Sequence, residues 1–440
     1  MIITAPKNIN CSINLPASKS ISNRVLILSA LCNDNTKHLT LNTKSSNKSV
    51  TDGIENLATC DDTKVVKNAF ADGLPYEINI GAAGTAMRFM TAFLAQCDGE
   101  EHVITGTERM KHRPIKVLVE ALRSIGASIE YVGEEGFPPL KIQGKKLKGG
   151  ALEVPGNISS QYISALLMIA PKLEEGLKLH LTGDIYSRPY IDLTISIMQE
   201  FGAKAYWRDN DHIIIEPTGY KKRPYKVEND WSAASYWYEI FALIRDFNSN
   251  SNFNEDFDSD DNEVTIEGLM DSSRQGDSSI RYLFNLLGVK SEFESRGVIS
   301  DVTLKTAITR LAKLEYDFVN IPDMAQTLVV TCCALGIPFH FTGLASLKIK
   351  ETDRIEALKV ELKKVGYVVE DRNDSELIWN GETCEPSFAP IDTYEDHRMA
   401  MAFAPLALKY GKIEINNPEV VSKSYPNFWE DLQKAGFELS

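Results

Sequence analysis

The chain has 440 residues, 43% of them hydrophobic, too many for one ordinary core and enough for two domains. A formal net charge of −14 excludes a general nucleic-acid binder, although a local cluster of cations can still hold a phosphorylated ligand. Seven cysteines without CxxC or Cys/His spacing speak against zinc and redox chemistry, and no run of about 18 apolar residues or leader-like start is present, so a cytoplasmic protein is expected.

Near the N-terminus, Pro16-Ala17-Ser18-Lys19-Ser20-Ile21-Ser22-Asn23-Arg24 leads into an apolar run that predicts a helix. Ser18 or Ser20 can cap it, leaving N–H groups, hydroxyls and Lys19 aimed at one anion, with Arg24 a turn further on. Gly81-Ala82-Ala83-Gly84-Thr85-Ala86-Met87-Arg88 predicts a second loop-to-helix junction, where glycine lets backbone N–H groups approach a phosphate or carboxylate. Either junction, standing alone, is equally a packing turn. From there a pattern recurs: an amphipathic helix, a Gly, a strand, a polar turn and often a second strand. It spans residues 117–142, 191–216, 280–304 and 354–379, around Gly126, Gly202, Gly288 and Gly366, with a truncated copy at 428–437. Residues 248–263 break the pattern with Asn, Ser and acids, a composition that predicts a mobile acidic surface loop. They lack the glycine and terminal Glu spacing of a calcium loop.

Charged motifs are threaded through this repeat. Arg109-Met110-Lys111-His112-Arg113-Pro114 gathers cations before a helix that Pro114 is suited to start, although such a run is by itself an ordinary solvated turn. Ser159-Ser160-Gln161-Tyr162 and Tyr186-Ser187-Arg188-Pro189-Tyr190 place neutral donors at two predicted helix starts. The densest cluster is Lys348-Ile349-Lys350-Glu351-Thr352-Asp353-Arg354. On a helix Lys350 and Arg354 share a face, which costs roughly a few tenths of a kcal/mol unless an anion lies between them. Glu351 beside them and Asp323 in Asn320-Ile321-Pro322-Asp323-Met324-Ala325 are carboxylates suited to proton transfer. Asp396-His397-Arg398 and Ser422-Lys423-Ser424-Tyr425-Pro426 complete the set.

From residues 18–24 to 422–426, these motifs in this order resemble the EPSP synthase family over the whole chain. The resemblance implies a two-domain inside-out α/β barrel, each domain built of three βαβαββ units, closing over its ligands. Residues 1–17 plus 228–440 would form the first domain and 18–227 the second. It also implies transfer of the enolpyruvyl group of phosphoenolpyruvate to the 5-hydroxyl of shikimate 3-phosphate, with release of phosphate, in the shikimate pathway to aromatic amino acids. No metal or cofactor, no nucleic acid and no membrane would take part, and the protein would work as a monomer. Carried onto this sequence, the family's shikimate 3-phosphate contacts fall on Lys19, Ser20, Arg24, Ser159, Ser160, Gln161, Ser187, Tyr190, Asp323 and Lys350. Its phosphoenolpyruvate contacts fall on Lys19, Gly84, Arg113, Gln161, Arg354, Arg398 and Lys423. Asp323 would serve as base near the 5-hydroxyl and Glu351 as acid and base at C3, with Lys19 and His397 assisting. The inhibitor glyphosate would occupy the phosphoenolpyruvate site.

Some positions depart from the family's pattern. Ala82 stands where Asn is usual, Phe89 where Pro is usual, and Ser346 where Asn is frequent; the acidic pair of an SxDD stretch has no equivalent in Ser46-Asn47-Lys48-Ser49. These bear on the shape of the phosphoenolpyruvate pocket and leave the charged groups in place. The related UDP-N-acetylglucosamine enolpyruvyl transferases carry a Cys in the loop before their Arg-Pro, and the stretch 110–114 here has none. A catalytically silent phosphate-binding relative accounts for the departures but not for Asp323, Glu351 and Lys350 together.

Overall fold

The glycines that punctuate the repeat all adopt positive φ: +108° at Gly126, +86° at Gly202, +98° at Gly288 and Gly366, and +94° at Gly436. An L side chain there would clash, so glycine is what lets each helix stop in one residue. Around four of them the following N–H reaches back into the last helical turn. Ala127 donates to Leu122, Ala203 to Met198 and Tyr367 to Leu362 at 3.0 Å each, and Phe437 to Leu432 at 3.1 Å. This closure satisfies a carbonyl that the helix end would otherwise orphan.

The structure is a computed structural model and describes residues 1–32, 49–250, 262–297, 299–307 and 309–440. The chain divides into two units: a central unit, Ala17–Val227, and a terminal unit of Met1–Pro16 with Glu228–Ser440. The boundary falls one residue before the position read from the sequence, because Ala17 is buried in the central unit's core.

In the central unit, helices α1 (Lys19–Leu31), α2 (Asp61–Ala71), α3 (Gly84–Ala95), α4 (Lys116–Ser124), α5 (Ser160–Ile169) and α6 (Arg188–Glu200) alternate with short strands. Strand Glu77–Asn79 runs through α3 to the parallel strand Glu101–Thr105, then through α4 to the hairpin Ser128–Tyr131 and Leu140–Gln143. Strand Gly150–Pro155 repeats the plan through α5, the parallel strand Leu177–Thr182, α6 and the hairpin Ala205–Trp207 and His212–Ile215. A smaller parallel pair joins Ile54–Glu55 to Tyr225–Lys226. In α5 every residue but Gln161 is buried, and in α3 every residue but Thr85. A helix with no polar face has nothing to offer water, so these helices take the middle and the sheets lie outside them. Each fully buried leucine, such as Leu167, contributes about 2 kcal/mol to that arrangement.

The terminal unit uses the same order. Strand Asn10–Asn14 pairs in parallel with Glu263–Leu269, which follows α7 (Trp231–Asn250), and the hairpin Val289–Arg296 and Ile299–Thr306 completes that sheet. Leu314–Asp317, α8 (Ala325–Leu335), Phe339–Thr342, α9 (Arg354–Lys364) and the hairpin Glu370–Arg372 and Glu376–Trp379 form the next. The helix α10 (His397–Phe403) precedes a three-stranded sheet in which Ile2–Thr4 lies between Lys412–Glu414 and Glu438–Leu439. All of α8 is buried, so it is this unit's inner helix.

The acidic loop expected at 248–263 lies largely outside the described residues. Its margins are ordered differently from that expectation: residues to Asn250 continue α7, and Glu263 opens a strand. Among the described residues no helix is long and apolar enough to cross a membrane.

Candidate active site

In the central unit, four helices begin close together. Gln161 in the first turn of α5 donates to Thr85 Oγ1 in the first turn of α3 at 3.1 Å. Arg24 ties α1 to α5 and α6: its Nε donates to Thr194 Oγ1 at 2.7 Å, and its Nη2 to Ser164 Oγ at 3.1 Å and the Tyr190 carbonyl at 3.4 Å. Its Nη1 turns back to the Ser20 carbonyl at 2.9 Å, so four acceptors share its five N–H donors. Burial lowers the Arg24 pKa to about 10, against the raising influence of Tyr190. This arginine is as much a brace as a ligand, and Thr194 and Ser164, which no motif singled out, are the groups that aim it.

Lys19, the first residue of α1, pairs with Asp62 at 3.1 Å. Residues 46–48, in the stretch without the acidic pair, lie outside the described residues. An acidic pair stands instead at Asp61-Asp62, the first turn of α2, where the helix dipole favours carboxylates. The signal was in the sequence: two acids after Cys60 at the start of an amphipathic run.

Ser159 is the cap of α5, accepting from the Gln161 N–H at 3.4 Å, with Ser160 beginning the helix. Ser187 holds the cap position of α6 at φ +54°, left-handed backbone that a non-glycine adopts at a cost of about 1 kcal/mol or more. Its carbonyl accepts from the Tyr190 N–H at 3.0 Å. Ser18 occupies the cap position of α1, yet neither it nor Ser20 makes the expected cap bond, and the Ser18 hydroxyl is fully buried. Gly84 opens α3 beside Arg113, whose Nη1 lies only 2.6 Å from where a Cβ on Gly84 would project. Arg88 is buried too, donating to the Gly84 and Pro114 carbonyls at 3.1 Å each, and so shapes this junction from behind. The result is a set of helix N-termini with hydroxyls, an amide and cations, an arrangement suited to phosphate and hydroxyl groups.

The terminal unit concentrates charge in the same place relative to its helices. Arg354, 2% exposed, begins α9 and is shared by three carboxylates. Its Nε and Nη2 grip Asp396 at 2.7 and 3.3 Å, Nη1 meets Asp323 at 2.9 Å, and Nη2 meets Glu351 at 3.0 Å. Lys350 and Arg398 approach Asp323 at 3.2 and 3.5 Å, and Lys423 approaches Glu351 at 2.7 Å. Lys350 precedes α9 instead of sharing its face with Arg354; the anion that relieves their repulsion is Asp323, bonded to both. Burying ions costs several kcal/mol each, and a bidentate grip on Asp396, itself 0% exposed, is what offsets it here.

Asp396 was part of a recognised motif without a role. It caps α10, accepting from the Arg398 N–H at 2.9 Å, and so fixes both arginines. The buried His397 ring has Nδ1 at 3.8 Å from the same carboxylate. Burial would raise the Asp323 pKa, but Lys350, Arg398 and Arg354 outweigh it and hold the carboxyl well below the usual range. Arg354, for its part, is held above its ordinary value: burial works against the charge, and Asp396, Glu351 and Asp323 overcome it. Lys350, Arg354, Arg398 and Lys423 oppose Asp323, Glu351 and Asp396, so cations exceed carboxylates by one. Such a cluster carries a positive charge that an anion can neutralise, beside carboxylates of the type suited to proton transfer.

The model of the family described as EPSP synthase (3-phosphoshikimate 1-carboxyvinyltransferase) matches residues 3–432. A Bacteroides fragilis protein named 3-phosphoshikimate 1-carboxyvinyltransferase is similar at 52% identity over 439 residues, covering 100% of this chain and 98% of the other. One of the same name from Photobacterium profundum is 35% identical over 436 residues, 96% of each chain. Among solved structures, EPSP synthase from Acinetobacter baumannii shares the fold at a TM-score of 0.72 and 22% identity, over 100% of this chain and 99% of that one.

Proposed function

The chain belongs to the EPSP synthase family, an enzyme family that transfers the enolpyruvyl group of phosphoenolpyruvate to shikimate 3-phosphate, and we propose that the shared guanidinium of Arg354 is the centre of that chemistry here. The observation that carries this reading is the surplus of cations around two carboxylates, Asp323 and Glu351, one on each side of Arg354.

The enol phosphate is small and densely charged, and Arg354, Arg398 and Lys423 match it, as Lys19, Gly84, Arg113 and Gln161 do by the family's pattern. Lys19, Ser20, Arg24, Ser159, Ser160, Gln161, Ser187 and Tyr190 offer the mixture of hydroxyl, amide and cation that suits a polyol phosphate, together with Asp323 and Lys350. In the addition step the 5-hydroxyl oxygen bonds to C2 while its proton passes to Asp323 and C3 receives a proton from the Glu351 and Lys423 pair. In the elimination step Glu351 takes a proton back from C3, the C2–C3 double bond returns and phosphate leaves. Lys19 and His397 assist, His397 by supporting Asp396.

Asp323 as it stands is a weak base, since burial is overruled by Lys350, Arg398 and Arg354. An anion bound to those cations would weaken their pull and raise its basicity, so the base is activated by the substrate it serves. Glyphosate, an anion carrying phosphonate and carboxylate groups, would compete for the same cations. Phosphate release, measured with shikimate 3-phosphate and phosphoenolpyruvate and separately with UDP-N-acetylglucosamine, tests the reading. Release with the first pair alone is expected; release with the sugar nucleotide, or with neither, refutes it.

A further inference from the structure

On the solvent face of the sheet Ala205–Trp207, His212–Ile215, Leu177–Thr182 and Gly150–Pro155, three residues fall in one row across the strands. His180 is directly opposite His212 on one side and level with Glu153 on the other. The strands' alternation decides the face: Leu179, Leu181, Ile213 and Ile215 are buried inward, which sends His180 and His212 outward. Their rings stack with centroids 4.4 Å apart and planes within 2°. The turn preceding His212 supplies two acids. His212 Nδ1 lies 2.6 Å from Asp211 Oδ1 and 2.9 Å from Asp209 Oδ1, and His180 Nε2 lies 3.8 Å from Asp211 Oδ2. His180 Nδ1 meets Glu153 Oε2 at 3.2 Å. None of these residues belongs to the candidate active site, and the reaction assigns them no role.

We propose that His180, His212 and Asp211 form a binding site for one divalent transition-metal ion of the class that favours imidazole, such as Zn2+. One ligand atom from each already lies within 4.8 Å of the others. Tetrahedral zinc, with bonds of about 2.0–2.2 Å, needs ligand atoms roughly 3.3 Å apart, so the ion must draw the widest pair together by up to about 1.5 Å. The side chains are half-buried and reach solvent, with relative exposures of 36% for His180 and 31% for His212, so they have freedom to close on it. Glu153, 3.2 Å from His180 Nδ1, orients that ring with Nε2 toward Asp211, as outer-sphere carboxylates do in zinc sites. Imidazole with carboxylate prefers zinc, copper or nickel to magnesium or calcium, which take oxygen donors. An ion there would clip the strand Leu177–Thr182 to the hairpin strand His212–Ile215 and stabilise the central unit without entering the reaction.

Calorimetric titration of the chelator-treated full chain with Zn2+ tests the site, with His180→Ala, His212→Ala and Asp211→Asn beside the wild type and Mg2+ as the comparison ion. The wild type is expected to bind one equivalent of Zn2+ with a rise in melting temperature, and each variant to bind at least about tenfold more weakly, with the metal-free melting temperature unchanged. Zinc bound equally by wild type and variants, no stoichiometric binding, or equal affinity for Mg2+ would overturn the proposal.

Discussion

Gly84→Ala probes the start of α3, proposed to meet phosphoenolpyruvate, with a single methyl group. The new Cβ would lie 2.6 Å from Arg113 Nη1, 3.0 Å from Cζ and 3.1 Å from Nη2, where ordinary contact begins at 3.4 Å. Arg113 must therefore withdraw by about 0.8 Å, enough to lose most of a hydrogen bond to a bound anion. A bond between charged partners contributes about 1.5–3 kcal/mol, which puts the loss of phosphoenolpyruvate affinity at roughly tenfold to a hundredfold. Helix stability moves the other way. Gly84 is the first residue of α3 and its φ is not positive, so alanine is tolerated and gains up to about 1 kcal/mol of helix propensity. The variant should then melt no lower than the wild type while its KM for phosphoenolpyruvate rises. Glyphosate, being longer, would lose Arg113 and meet the methyl as well, so its inhibition constant is expected to rise more steeply than KM. Steady-state phosphate release gives both constants, and a double-mutant cycle with Arg113→Lys identifies the route. If the methyl acts through Arg113, the two substitutions combine with less than additive effect. Additivity within about 0.5 kcal/mol, or an unchanged ratio of the inhibition constant to KM, would refute the reasoning.

Arg354→Ala strands Asp396, Asp323 and Glu351 without their common cation, and should destabilise the fold by about 3–5 kcal/mol in denaturant melts; Arg354→Lys should recover only part, since an ammonium lacks the two-pronged grip. Asp323→Asn and Glu351→Gln are expected to lower kcat while KM for phosphoenolpyruvate stays within about threefold; a dominant rise in KM would make them binding groups instead. Glu228, 7% exposed, has its pKa raised from 4.5 to about 7 by burial, against hydrogen bonds from Ser273 and Gln275 and with Asp230 adding to the rise. The folded state holds this proton more tightly than the unfolded chain. Its stabilising contribution is therefore complete below about pH 4.5 and lost as pH climbs through 7, a change of about 3 kcal/mol. Denaturant melts of wild type and Glu228→Gln at pH 5 to 8 should show that slope in the wild type and its loss in the variant; parallel slopes would contradict it.

What the sequence displayed, and what it hid, follow from the range of each interaction. The glycine stops are local: Gly126, Gly202, Gly288 and Gly366 each answer to a backbone angle within their own helix end, so their spacing announced the repeat. The charged clusters were legible because Lys350, Glu351 and Arg354 lie so close in the chain. Their geometry was not, because Asp323, which resolves the repulsion, and Asp396, which grips Arg354, arrive from elsewhere in the chain. For the same reason Arg24 read as a ligand and not as a brace, since Ser164 and Thr194 are distant in sequence and carry no motif. The cap at Ser18 failed on a local rule: the residue type is right and the helix begins after it, but its hydroxyl is buried away from the N–H groups it would serve.

The parallel pairing of Asn10–Asn14 with Glu263–Leu269 has a consequence for how the chain emerges from the ribosome. Residues 10–14 are made first, yet their partner strand follows the whole central unit, and Ile2–Thr4 waits longer still for Lys412–Glu414 and Glu438–Leu439. The central unit, contiguous from Ala17 to Val227, has all its own strands by then and can close around its core while translation continues. The terminal unit therefore completes last: Asn10–Asn14 stays unpaired until Glu263–Leu269 is made, and Ile2–Thr4 until the last strand is released.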